Sequence, residues 1–262
     1  MIKNWISFIV FIPFVAGCGG GGNSGVGEAN QTLIPPTATC QSTPSSFSQT
    51  PCRGAQMTVD VISSSSPNDV SATTKVIALD NLELVNSGIF QGYAYVVGLR
   101  GNAHEIMSIV PFSGTLPAQT LEYEGKARVE TANANGVEIA YRADMDATVT
   151  LDLTQVENSV EVLLFNAKQH TPLLGNATIN DTGLERVTIT GMSVDEITGQ
   201  ISSTPTANIS QRNFIAVDQI KSYTNPNIAG GLAGENGKEL GMVIGATNDG
   251  YITMQIVGRH QD

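Results

Sequence analysis

The sequence predicts an all-β fold, and three features predict it. Beyond Arg53 apolar residues recur at every second position, the period of a half-buried strand, with few helical stretches. One such run, "VEIAYRADMDATVTLDL" over residues 137–153, keeps its phase long enough to suit a barrel or a strongly coiled sheet, where one face stays buried from rim to rim. The breaks between runs carry Asn, Asp and Gly, as in "NANG" at 133–136 and "TNDG" at 247–250, the residues that tight turns require.

The elements follow in order. Between residues 57 and 110 the stretches "MTVDVI", "KVIALDNLELV", "GIFQGYAYVVGL" and "EIMSIVPF" read as β-rich, and Pro111, Gly114 and Pro117 then interrupt the pattern, which places a soft boundary there. In "LEYEGKARV" Leu121, Tyr123, Gly125, Ala127 and Val129 face one way while Glu122, Glu124, Lys126 and Arg128 face the other. In the long run that follows, the odd positions from Val137 to Leu153 share one face. Further strands are expected at 160–165, 186–191, 197–202, 239–246 and 251–257, the last two as a hairpin. Residues 208–221, "NISQRNFIAVDQIK", place Ile209, Phe214, Val217 and Ile220 on a rough helical stripe and could form either a helix or a strand.

The start of the chain has a different character. Lys3 precedes an apolar run from Trp5 to Val15, the layout of a secretory signal, and that run is too short for the roughly twenty residues a spanning helix needs. It ends in Val15-Ala16-Gly17-Cys18, a pattern that resembles a bacterial lipobox; the other reading is an ordinary signal with Cys18 incidental. The resemblance implies cleavage after residue 17 and a Cys18 carrying thioether-linked diacylglycerol plus an amide-linked acyl chain, a firm anchor because one chain alone binds only marginally. Residues 19–36, "GGGGNSGVGEANQTLIPP", have little to bury and are expected to act as a flexible tether. Position 19 is Gly rather than Asp, and in enteric bacteria Asp there retains such proteins in the inner membrane, so the outer membrane is expected.

Composition narrows the function. The formal net charge of -11 repels phosphates, so nucleic-acid binding is not expected. Trp5, the one tryptophan, would leave with the signal, which weakens a sugar-stacking reading. Cys40 and Cys52 flank the polar stretch "QSTPSSFSQTP", and export would place them where disulfides persist. A Cys40–Cys52 bridge is therefore expected within a tether segment spanning 18–52; a metal pair would need more ligands than the segment offers.

From "LEYEGKARV", "ATVTLDL" and "GGLAGENGKELGMVIGA" onward, the carboxy-terminal half resembles the barrel lobe of bacterial transferrin-binding surface lipoproteins, a group that also includes complement-factor-binding and haem-acquisition lipoproteins. In the last segment Leu232 stands where the family commonly has an aromatic residue and Glu235 where it has proline, while Glu239, Gly241, Val243 and Ile244 keep the phase. The resemblance implies a roughly eight-stranded antiparallel barrel over 113–262, preceded by a small β-rich handle over 53–112. It also implies a surface lipoprotein that binds a host protein, haem or another iron carrier through its loops. A periplasm-facing structural or assembly lipoprotein is the rival reading.

A search for chemistry favours binding over catalysis. "HEIMS" at 104–108 has Ser108 where a zinc-binding helix motif needs a second histidine, and "GENGK" at 234–238 reads as a hairpin turn rather than a phosphate loop. No Gly-x-Ser-x-Gly elbow occurs, and His104, His170 and His260 are far apart in sequence. Asp144 and Asp146 fall on an outward strand phase, where solvated charge is the ordinary explanation and no calcium-loop spacing is present. Tyr93, Tyr95 and His104, in "GYAYVVGLRGNAH", are the candidate ligand-binding residues, since such side chains can ligate haem iron; as core aromatics and a loop histidine they would do no such thing. No cofactor other than haem is suggested. For the cysteines, the expected outcome is that Cys40 and Cys52 resist alkylation in the exported chain and react after reduction, measured as a mass gain of two adducts.

Overall fold

The computed structural model describes residues 56–78, 96–98, 105–108, 110–133, 139–168, 185–214 and 220–261, and these contain β-strands, turns and bends with no helix. A small antiparallel sheet is built from β1 (Gln56–Ser66), β2 (Asp69–Ala78), β3 (Val96–Gly98) and β4 (Glu105–Ser108), in the order β2-β1-β4-β3. A larger one holds β5 (Thr120–Asn133), β6 (Ile139–Asp152), β7 (Ser159–Lys168), β8 (Arg186–Val194), β9 (Ile201–Arg212), β10 (Ile220–Thr224), β11 (Asn227–Ala233), β12 (Glu239–Thr247) and β13 (Gly250–His260). Its order is β10-β9-β8-β7-β6-β5-β13-β12-β11, antiparallel throughout.

That sheet curls until its two ends meet. Gln200 bridges to Gly231, Leu232 N–H donates to the Gly199 carbonyl at 2.9 Å, and Asn225 N–H donates to the Ala207 carbonyl at 3.2 Å. β10 pairs with β9 and β11 pairs with β12, on either side of a break at Asn225-Pro226 where Asn225 takes a positive φ of 52°. β10 and β11 therefore share one rib, and nine strands make an eight-ribbed barrel. Closure of this kind removes the free edges that would otherwise recruit other chains.

The predicted alternation is observed where it was strongest. Leu121, Tyr123, Ala127 and Val129 on β5, the odd positions from Ala143 to Leu151 on β6, and Leu240, Met242, Ile244, Ile252, Met254 and Ile256 on the last hairpin are buried in one core. Gly125 belongs to this inward phase, and a Cβ there would lie 2.1 Å from the Val257 carbonyl oxygen, so only glycine lets β5 and β13 come this close. One open element is decided at its ends and one predicted strand starts late. Of the two alternatives open over 208–221, the described ends take the strand: Asn208 to Arg212 end β9 and Ile220 opens β10, because Ile209 and Gln211 bury alternately with exposed or half-buried neighbours and pair with Tyr223 and Lys221. The strand expected at 197–202 begins only at Ile201, because Asp195 caps a turn by accepting the N–H groups of Ile197 and Thr198, each at 2.9 Å.

Two buried tyrosines finish the barrel interior. Tyr123 Oη donates to the Gly237 carbonyl at 2.7 Å near one rim, and Tyr223 Oη donates to Gln211 Oε1 at 3.2 Å toward the other. Burial pushes both phenols up, Tyr123 the further, and Tyr223 to about 12 with a smaller push from the Asp249 carboxylate. The small sheet packs on the barrel's outer face, where Ile62, Val70 and Ile106 meet Ala229, Ala233, Val243 and Val257. Its β1–β2 turn is pinned there: Asn227 Nδ2 donates to the Pro67 carbonyl at 3.3 Å and Thr247 Oγ1 to Asn68 Oδ1 at 3.1 Å.

Two outcomes follow from the barrel interior. Gly125→Val is expected to lose about 3 kcal/mol of stability by forcing β5 from β13, read as a lowered urea midpoint. For the tyrosines, the folded state keeps protons that the unfolded chain releases above its ordinary phenol value. Stability should thus be full below pH of roughly 10 and fall as pH rises toward 12, by about 1.4 kcal/mol per pH unit for each tyrosine. Urea midpoints between those pH values check this, and Tyr223→Phe should shallow the decline.

Candidate functional site

The residues singled out from sequence divide unevenly. Cys18, Cys40, Cys52, Tyr93, Tyr95 and His104 all lie outside the described residues. Around the last three, β3 and β4 pair antiparallel through Val96–Ser108, Val97–Met107 and Gly98–Ile106. Glu105 to Ser108 alternate across a strand with Ile106 and Met107 buried, so the stretch does not present the helical face a zinc motif needs. Residues 234–238 form the β11–β12 turn, with Gly234, Asn236 and Gly237 at positive φ, in agreement with the hairpin reading.

Asp144 and Asp146 sit on the outer face as expected, each engaged by a cation on the neighbouring strand. Arg128 grips Asp144 with two bonds, Nε to Oδ1 at 2.8 Å and Nη2 to Oδ2 at 3.2 Å, while Lys126 and Asn166 both donate to Asp146. The pattern continues with Arg142 on Glu130 and Arg259 on Glu239, whose carboxylates are almost wholly buried. These directly opposed pairs fix strand register, and burial of the two glutamates makes their arginines necessary rather than decorative.

The concave feature lies where the small sheet meets the barrel seam. A cleft of about 510 Å³ is floored by the glycine-rich β11 and walled by β1, β2, the strap at Pro111-Phe112 and the turn before β9. Gly231 sets its depth: a Cβ there would lie 2.3 Å from the Gly199 carbonyl oxygen, so glycine alone lets the turn bridge to β11. Polar groups reach the cleft from Asp60, Ser71, Ser108, Thr198 and Gln200. Asp60 is the one ionisable residue among the described residues that line it, and Asp60 Oδ1 accepts the Thr74 hydroxyl at 2.7 Å. Such a lining can hold a ligand by shape and hydrogen bonds, with a donor or cation facing Asp60. Sequence reasoning missed this site because its residues come from positions 60 to 241 and no local motif joins them. Among the described residues no group of three or more histidine, cysteine or acidic side chains is placed to hold a metal ion.

Comparison with known proteins gives a likeness of fold. No protein-family model and no curated protein matches the chain. Among solved structures it is similar to transferrin binding protein B of Haemophilus parasuis Hp5, at 12% identity and a TM-score of 0.48, over 79% of this chain and 45% of that one. It is also similar to isotype 1 transferrin binding protein B from serogroup B Neisseria meningitidis, at 12% identity and a TM-score of 0.41, over 78% and 44%. A protein described as a surface lipoprotein is similar at 13% identity and a TM-score of 0.40, over 78% of this chain and 98% of that one. The chain thus spans less than half the length of these two transferrin binding proteins.

Proposed function

We propose that this chain is a lipid-anchored outer-membrane protein, held by acylated Cys18, and displayed at the cell surface. In this reading it binds a host protein, haem or another iron carrier and catalyses nothing. The observation that carries it is the cleft of about 510 Å³: a concavity preformed by two packed sheets, whose described lining is apolar side chains and glycine with hydroxyl and amide groups and the single carboxylate of Asp60. Rigid β scaffolds that offer turns and a hollow at one junction suit recognition, because little order must be gained on binding. The leader ending in Val15-Ala16-Gly17-Cys18 supports the anchor, with residues 18–52 as tether and a Cys40–Cys52 bridge. The small sheet within 53–112 would act as a handle beside the barrel of 113–262. Tyr93, Tyr95 and His104 would be the residues that meet a haem, and the acidic charge disfavours nucleic acid as a partner.

Protease treatment of intact cells tests the orientation, and Cys18→Ala tests the anchor. The expected result is loss of the wild-type protein to protease, and an unacylated, membrane-free product from the variant. Protection of the wild-type protein in intact cells would favour the periplasm-facing alternative. Ligand capture is tested by titrating haemin and host iron-carrier proteins against the soluble domain. Ala72→Trp, at an exposed position on the cleft wall, is expected to weaken a cleft ligand about tenfold at an unchanged urea midpoint.

A further inference from the structure

One rim of the barrel carries a feature that the cleft does not use. Among the described residues the exposed large apolar side chains are Val156, Leu163, Ile197 and Ile220. Val156 and Ile197 stand out at 104% and 88% exposure. They occupy neighbouring turns: β7 pairs with both β6 and β8, so the 153–158 and 195–200 connections emerge side by side. Scattered apolar side chains on a surface are ordinary, but two almost fully exposed tips on adjacent turns are not scattered.

The turns that carry them are built in advance. Asp152 Oδ1 accepts the Thr154 N–H at 3.0 Å and its hydroxyl at 2.6 Å, and Asp195 Oδ1 accepts from Ile197 and Thr198. Asn158 joins one turn to the other, accepting the Val194 N–H at 2.9 Å and donating to Glu196 Oε1 at 3.2 Å. Apolar side chains carried on turns whose backbone is already tied need little further ordering of the chain on docking, a property of anchor residues at interfaces.

Charge identifies what they fit. Glu157 follows Val156, Asp195 and Glu196 precede Ile197, Asp152 opens the first turn, and neither 152–161 nor 193–202 contains Lys, Arg or His. The hydrogen bonds from Thr154 and from Thr198 and Ile197 hold the Asp152 and Asp195 carboxyls below the usual carboxylate range, so both stay charged. A second copy would bring the same negative turns, and anionic lipid would repel them as well. We infer that Val156 and Ile197 form a two-point apolar plug that seats in a lysine- or arginine-framed socket on a soluble host protein. This deepens the surface-binding reading and rests on it.

The test places p-benzoylphenylalanine at position 156, at 197, or at the exposed control Thr206, in cells displaying the full chain. The cells are irradiated in mammalian serum and the adducts mapped by mass spectrometry. The expected result is one serum protein crosslinked from 156 and 197 and not from 206, at an apolar pocket bounded by basic side chains. Val156→Ser with Ile197→Ser should leave the urea midpoint unchanged and weaken capture of that protein on the order of a hundredfold. Raising salt from roughly 50 to 500 mM should weaken it further. Adducts to a second copy, to lipid or to an envelope protein, or none at 156 and 197, would overturn the plug. If the double variant still holds the serum protein as the wild type does, the plug falls and the binding reading stands; if wild-type cells hold no serum protein, both fall.

Discussion

The constraint on which the rest of the structure depends is that a sheet curled this far must satisfy the hydrogen bonds of its own two ends. It does so with one broken rib. β10 completes β9, β11 completes β12, and the seam is tied at Asn225–Ala207, Gln200–Gly231 and Leu232–Gly199. The break is local chemistry, an asparagine at positive φ followed by a proline that has no N–H to offer. Pro205 on β9 falls between the two ties, where a missing donor costs little.

Closure and the second sheet together make the cleft. The barrel interior is filled by side chains from every rib, with Tyr123 and Tyr223 satisfying their hydroxyls inside it, so the concavity forms outside the barrel, over the seam. Small residues on the outer face of β11 and β12 are the reason the small sheet approaches this closely. Ala229, Ala233 and Val243 accept Ile62 and Ile106, and Gly245 leaves room for Pro67. A larger side chain at any of these positions would exchange the cleft for a clash.

The outer face explains how an acidic chain stays ordered. Its cations are concentrated where carboxylates need them, with Lys126 and Arg128 opposite Asp146 and Asp144, and Arg142 and Arg259 against the buried Glu130 and Glu239. The segments 152–161 and 193–202 around Val156 and Ile197 contain no Lys, Arg or His, and there Glu157, Asp195 and Glu196 are left exposed.

The sequence by itself determined the all-β class, the inward phase of β5, β6 and the last hairpin, and the turns at 234–238 and 247–250, because alternation and turn residues act within a few positions of one another. It could not settle 208–221, where one apolar spacing served helix and strand equally until pairing with β8 and between β9 and β10 made 208–212 and 220–221 strand. Only the tertiary structure decided the cleft, the broken rib and the partners of Glu130 and Glu239. The reason is distance along the chain: Asp60, Ser108, Gln200 and Gly231 meet because two sheets pack, and no local pattern encodes a contact between residues so far apart.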